Sequence, residues 1–177
     1  PMEDMIIKSI DLNLAEICFT DHSDYSILVN NIEQDHEVDY KNYLKSLEFF
    51  QNKYKKEITI KKGVEIGLQN HTIDKCIEDI KSYDFDFVIA SIHTINKSDL
   101  IDRDFYKNKS QYEAYRQYYE NLYNIIKKFK NYSVLGHLDL VKRYGDLNNI
   151  IDDKIFGDEI DEILKLAIYD GKGIEIN

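Results

Sequence analysis

Cysteine, positive charge and long apolar runs are all scarce in this sequence, and each scarcity excludes something. The chain has only two cysteines, Cys18 in an apolar run and Cys76 in a helical one, with no Cys-x-x-Cys spacing. That argues against a zinc knuckle or a dithiol redox pair and for two buried structural thiols. Lys and Arg number 23 against 33 Asp and Glu, for a formal net charge of −10. General nucleic-acid binders use clustered Lys and Arg to displace counterions from the phosphate backbone, so no nucleic-acid partner is expected. A small phosphorylated substrate stays open, because bound cations can supply local positive charge whatever the sign of the outer surface. No apolar stretch nears the roughly 18 residues of a membrane span, and no signal peptide is visible. The expectation is a cytoplasmic protein without a membrane partner; oligomeric state is not readable.

Against these shortages stand 43% hydrophobic and 32% charged residues over 177 positions. That balance describes a folded chain with one core, and nothing in it marks a second domain or a linker. A single domain over residues 1–177 is expected.

Periodicity divides the chain into alternating elements. Residues 2–12 carry apolar positions at helical spacing, and Ala15 to Thr20 is short and β-rich, ending at Asp21-His22. After a polar stretch read as a charged loop, a helix runs from Val38 to Tyr54 and a strand from Ile58 to Ile66. A further helix spans Thr72 to Tyr83, with Asn70 or Thr72 as N-cap, and Phe85 to Ser91 forms a strand that delivers His93. Residues 96–109 look irregular. A Tyr-rich helix from Gln111 to Lys130, a short strand from Ser133 to Gly136, a helix from about Asp152 to Tyr169 and a strand from Gly173 to Asn177 complete the order. Alternation of α and β argues for a parallel sheet wrapped by helices, open or closed into a barrel.

The chemistry collects where strands end. His22, Glu65, His93 and His137 sit at or just past the C-terminal ends of four successive expected strands, the end at which β/α barrels gather their catalytic residues. Neutral imidazoles and a carboxylate suit Zn, Mn or Fe, and the two oxygens of a carboxylate such as Glu65 can serve two cations. Paired metals bind a phosphoryl group, activate water and stabilise the leaving oxygen. Singly, each residue has a plainer reading as a hydrogen-bonded structural histidine or a solvated acid. Three of the five histidines and one Glu at equivalent positions of four units favour a metal site. His36, among Asp35, Glu37 and Asp39, and His71, after Asn70, read as surface residues.

The strings around these residues carry more. Thr20-Asp21-His22-Ser23-Asp24-Tyr25, Gly63-Val64-Glu65-Ile66-Gly67, the run from Phe85 to His93, and Val134-Leu135-Gly136-His137-Leu138-Asp139 resemble, in order and spacing, the central motifs of the PHP superfamily, closest to the histidinol-phosphate phosphatases. The likeness spans essentially the whole chain. It implies a distorted (β/α)7 TIM-like barrel, here partial, with parallel strands wrapped by helices. It further implies a trinuclear centre of divalent metal ions and hydrolysis of a small-molecule phosphate ester, L-histidinol phosphate, in histidine biosynthesis.

By position, the resemblance implies that Glu65 bridges two metals, that His93 and His137 complete one metal's shell, and that His22 helps to hold another. Asp21 would act beside that ligand or in proton transfer, or would be structural. Arg143 resembles an arginine that grips the substrate phosphate, a task suited to the guanidinium fork, or lies on the surface. Asp139 would orient a ligand or cap the next helix, and Glu175 and Asn177 are assigned no metal. The family's opening His-x-His pair, a further His, and a late segment with an Asp and a His have no counterparts in these residues. The expectation is therefore a domain incomplete at both ends, with weak or no catalysis by the fragment alone. Alternatives are a PHP phosphoesterase acting on another ester, a PHP nuclease and an inactive PHP-like binding module.

Overall fold

The computed structural model describes residues 2–176. Helix α1 (Met2–Asp11) precedes β1 (Glu16–Phe19), β2 (His22–Val29), β3 (Ile32–His36) and α2 (Tyr40–Tyr54). There follow β4 (Thr59–Gly67), α3 (Ile73–Ser82), β5 (Phe87–Ser91), the two-residue strands β6 (Thr94–Ile95) and β7 (Ser98–Asp99), and α4 (Gln111–Ile126). The chain ends through β8 (Val134–Leu135), α5 (Leu140–Tyr144), α6 (Gly157–Tyr169) and β9 (Gly173–Ile174). The helix expected from Asp152 is split into a 3₁₀ turn at Asp153–Phe156 followed by α6. The last residue of the expected final strand, Asn177, lies outside the described residues.

The main sheet runs β3-β2-β4-β5-β8-β9, and among the described residues it does not close into a ring. All its pairings are parallel except β2 with β3. The expected parallel α/β sheet wrapped by helices is therefore present, as an open wall. No described helix is long and apolar enough to cross a membrane.

Strands β1 and β2 pair with successive parts of β4 in one register: Glu16 opposite Thr59, Phe19 opposite Lys62, His22 opposite Glu65 and Asp24 opposite Gly67. They form one strand interrupted at Thr20-Asp21, where the Asp21 carbonyl still accepts from the Glu65 N–H at 3.1 Å. Beyond Asp24 the strand leaves β4 and turns back on itself as the β2–β3 hairpin. This corrects the charged loop expected after His22. A two-residue turn joins the hairpin, with Asn30 and Asn31 at φ 52° and 63°, the left-handed pair that type I′ hairpins require and Asn tolerates.

The strand interiors explain the layering. In β4 the side chains of Val64 and Ile66 are wholly buried under the helices, while Glu65, alternating with them, faces the concave side. Val88, Ala90 and Ile92 do the same on β5 and its exit, and Leu135 on β8, all within one core cluster. Helix α4 covers them with Ala114, Tyr115, Tyr118, Tyr119, Leu122, Ile125 and Ile126, one face at helical spacing. Its start is fixed by a capping box. The Ser110 hydroxyl accepts from the Glu113 N–H, and the Ser110 N–H donates back to the Glu113 carboxylate. A smaller cluster of Ile6, Phe19, Tyr43, Leu47, Ile58 and Ile60 packs α1 and α2 onto the N-terminal half of the wall.

Candidate metal centre

Four side chains meet on the concave side. Glu65 Oε1 lies 3.0 Å from His93 Nε2 and 3.1 Å from His137 Nε2, and the two nitrogens are 3.3 Å apart. Glu65 Oε2 points the other way and lies 3.1 Å from His22 Nε2. The two oxygens of one carboxylate thus serve different imidazoles. His93 and His137 are buried, whereas the His22 side chain is 60% exposed and stacks on the His93 ring at 4.8 Å.

Neighbouring residues aim this group. Asp24, buried on the same face of β2 as His22, accepts at 2.7 Å from His93 Nδ1, which fixes the proton there and turns the Nε2 lone pair toward Glu65. The Ser91 hydroxyl donates to Glu65 Oε1 at 2.8 Å. The Glu175 carboxylate accepts from the His137 backbone N–H at 2.9 Å, and the Tyr118 hydroxyl donates to the His137 carbonyl at 3.3 Å. Close approach explains two glycines. A Cβ on Gly67 would lie 1.7 Å from Asp24 Oδ1, and one on Gly136 would lie 2.2 Å from Ser91 Oγ. A methyl at either position would push aside a residue that holds a member of the cluster.

The donor set fits a cation. Glu65 Oε1 and the Nε2 atoms of His93 and His137 form a triangle with edges of 3.0, 3.1 and 3.3 Å. Two ligands on a tetrahedral metal with bonds of about 2.0 Å sit roughly 3.3 Å apart. Three lone-pair acceptors this close repel one another unless a positive charge lies among them. Without a metal, a proton on His93 fills that need. Burial drives the His93 pKa down, but Asp24 and Glu65 outweigh it and push it up to about 9. Burial likewise works against the Glu65 anion, yet donors from His137, His22, His93 and Ser91 hold its pKa far below the usual carboxylate range. His22 is raised, chiefly by its hydrogen bond to Glu65, with burial opposing. His22, Asp24 and His93 make a second group whose ligand atoms lie within 4.8 Å of one another.

Two other sequence-derived candidates stand apart from this cluster. Asp21 is exposed at the strand interruption and joins the site through its backbone carbonyl. Arg143, on α5, is 42% exposed, with a guanidinium nitrogen 3.9 Å from Asp139 Oδ1. Asp139, read as orienting a ligand or capping the next helix, occupies the N-cap position of α5 without a side-chain cap bond, and the carboxylate that meets an imidazole is Asp24. Asp24 and Ser91 are functional residues that the sequence reading missed; the His22-x-Asp24 alternation within a strand is the signal for the first. Burial raises both thiol pKa values, Cys18 to about 11 and Cys76 to about 12, though only Cys76 is fully buried as expected and Cys18 is half-buried. His36 and His71 are exposed, as read; His71 Nε2 meets the Ser26 hydroxyl at 2.9 Å.

Comparison with known proteins decides the family, since the PHP domain pattern matches residues 1–177. The chain belongs to the PHP domain family. It is 33% identical over 174 residues to a histidinol-phosphatase of Lactococcus lactis, covering 97% of this chain and 63% of that protein. A crystal structure of histidinol phosphate phosphatase from Lactococcus lactis, complexed with zinc, L-histidinol and phosphate, superposes with a TM-score of 0.90 at 32% identity. That superposition covers 99% of this PHP chain and 66% of the other. A Listeria monocytogenes structure, 16% identical with a TM-score of 0.76 over 98% of this chain and 74% of its own, shares the fold. The PHP chain thus spans less than two thirds of the length of its Lactococcus relative.

Proposed function

We propose that this protein hydrolyses a phosphate monoester, L-histidinol phosphate, as a cytoplasmic single-domain step of histidine biosynthesis, using divalent metal ions held around Glu65. The observation that carries the reading is the split carboxylate, with Oε1 facing His93 and His137 and Oε2 facing His22. That is the arrangement a bridging ligand needs. The Lactococcus relative, solved with zinc, L-histidinol and phosphate, supports the substrate and the metal class. Zn, Mn and Fe all suit the imidazole and carboxylate donors. Divalent cations in such a site supply Lewis acidity and a water molecule of lowered pKa.

The residues of this chain do the rest. Asp24 keeps the His93 ring in one tautomer and one orientation, and Ser91 holds the Glu65 carboxylate against rotation. Arg143, exposed on α5 beyond His137, binds the substrate phosphate through its guanidinium fork. Asp21, beside His22, takes or returns a proton at the rim.

Phosphate release from L-histidinol phosphate by this chain joined to the ligand-bearing segments of its family, set against a panel of phosphomonoesters with Mn or Zn supplied, tests the proposal. The expected result is a strong preference for histidinol phosphate that chelation abolishes. Equal rates across the panel would move the substrate elsewhere, and no turnover by metal-loaded folded protein would leave a binding module.

A further inference from the structure

We infer that Arg103 is a positioning residue that clamps helix α5 and thereby sets the reach of Arg143 toward the substrate phosphate. The inference rests on the phosphatase reading above and assigns a device within that site. Helix α5 has five residues, far below the roughly 12–15 at which an isolated helix becomes even marginal in water. Its C-terminal carbonyls lack partners within the helix and must find donors elsewhere.

One segment supplies them. Arg103 Nε donates to the Tyr144 carbonyl at 2.8 Å and Nη2 to the Gly145 carbonyl at 2.5 Å, while the Tyr106 hydroxyl donates to the Val141 carbonyl at 2.8 Å. These bonds bracket Arg143 on both sides. Just beyond, Gln111 donates to the Asp146 and Asn149 carbonyls at 2.9 and 2.6 Å and accepts from the Asp146 N–H at 2.6 Å. The loop that leaves α5 is therefore fixed as well.

Two features set this apart from incidental surface bonding. Arg103 adopts a left-handed backbone, φ 63°, a conformation that is strained for a non-glycine residue. A glycine would relieve that strain but could not donate to α5. The clamping segment also starts at the metal centre, because the Leu100 N–H donates to the His93 carbonyl at 3.1 Å. A single strut thus runs from His93 to the helix that carries Arg143. The Arg143 side chain itself stays exposed, loosely facing Asp139, and is free to take an anion.

A double-mutant cycle on the zinc-loaded protein tests this, with inorganic phosphate as the probe, affinity read by calorimetry and zinc content measured alongside. Arg103→Ala is expected to weaken phosphate binding roughly tenfold, the size of one charge-assisted hydrogen bond, with zinc content unchanged. Arg103→Lys should recover part of the loss. In an Arg143→Ala background Arg103→Ala should add nothing, because it acts only through Arg143. If Arg103→Ala does not fold, Tyr106→Phe, which removes a single bond to α5, should weaken phosphate a few-fold in the same cycle. Unchanged phosphate affinity, additive losses, or loss of zinc in the Arg103 variants would overturn the inference alone. Failure of the wild-type zinc-loaded protein to bind phosphate would overturn the phosphatase reading and this inference together.

Discussion

At the scale of single residues, Asp24 and His93 set the chemistry of the site. The carboxylate holds the imidazole through Nδ1 at 2.7 Å, leaving the Nε2 lone pair to face Glu65 and His137. Replacing Asp24 by Ala removes the acceptor that holds Nδ1, frees the ring to turn and is expected to lower zinc affinity about 10- to 100-fold, measured by competition with a chromophoric chelator. Unchanged affinity would remove Asp24 from the site. His93 also links metal uptake to pH. In the metal-free protein its pKa is raised to about 9, so the ring is protonated at neutral pH, and zinc must displace that proton to reach the lone pair. Zinc binding near neutral pH should therefore release a proton, and apparent affinity should climb with pH until about 9 and then level off. Calorimetry in buffers of different ionisation enthalpy reads the proton directly. That His22, Glu65, His93 and His137 come together was legible in the sequence because each falls near the end of an expected strand, and such ends converge, although His22 in fact opens β2 and Glu65 lies two residues before the end of β4. Asp24 was not, because a polar residue two places after a ligand looks like loop until the strand beneath it is recognised.

The elements show why that strand was hidden. Strand β2 buries Ser23, Asp24, Tyr25, Ser26 and Ile27 in succession, so it lacks the alternation that marks a half-exposed strand. Asp24 and Ser26 are tolerated because they have partners, whereas the buried Ser23 hydroxyl has none among the described residues. Asp24 holds His93, and the Ser26 hydroxyl and N–H donate to Glu33 and Asp35 on the returning strand. Lys75 and Lys97 then pair with those two acids from outside. Helix α5 was equally hidden, since five residues give no periodicity and its support comes from Arg103 and Tyr106, far away in sequence. By contrast, α2, α4, β4 and β5 were placed to within a few residues, because apolar spacing there is unambiguous. The hairpin turn offers a direct check. Asn31→Ala puts a residue without a local hydrogen-bonding side chain at φ 63° and should destabilise the protein by about 1 kcal/mol, seen as a lower urea midpoint with an unchanged slope. No change would mean that the turn relaxes without cost.

For the whole molecule, the concave side concentrates a carboxylate and three imidazoles suited to a cation, in a chain with a net charge of −10. Folding alone must hold Glu65, His22, His93 and His137 together, and a metal that binds only the folded form adds stability by mass action. Zinc at a hundredfold excess over its dissociation constant should stabilise the protein by about 2.7 kcal/mol. Thermal melting with zinc and with a chelator measures the difference, and identical midpoints would deny a folded-state site.

The claim on which the rest depends is that Glu65 bridges two cations. Anomalous diffraction at the zinc absorption edge, from crystals grown with zinc, tests it most directly. The account predicts two peaks flanking the Glu65 carboxylate, one contacting Oε1, His93 and His137 and the other contacting Oε2 and His22, about 3.5–4 Å apart. A single peak, or zinc bound only away from Glu65, would contradict it.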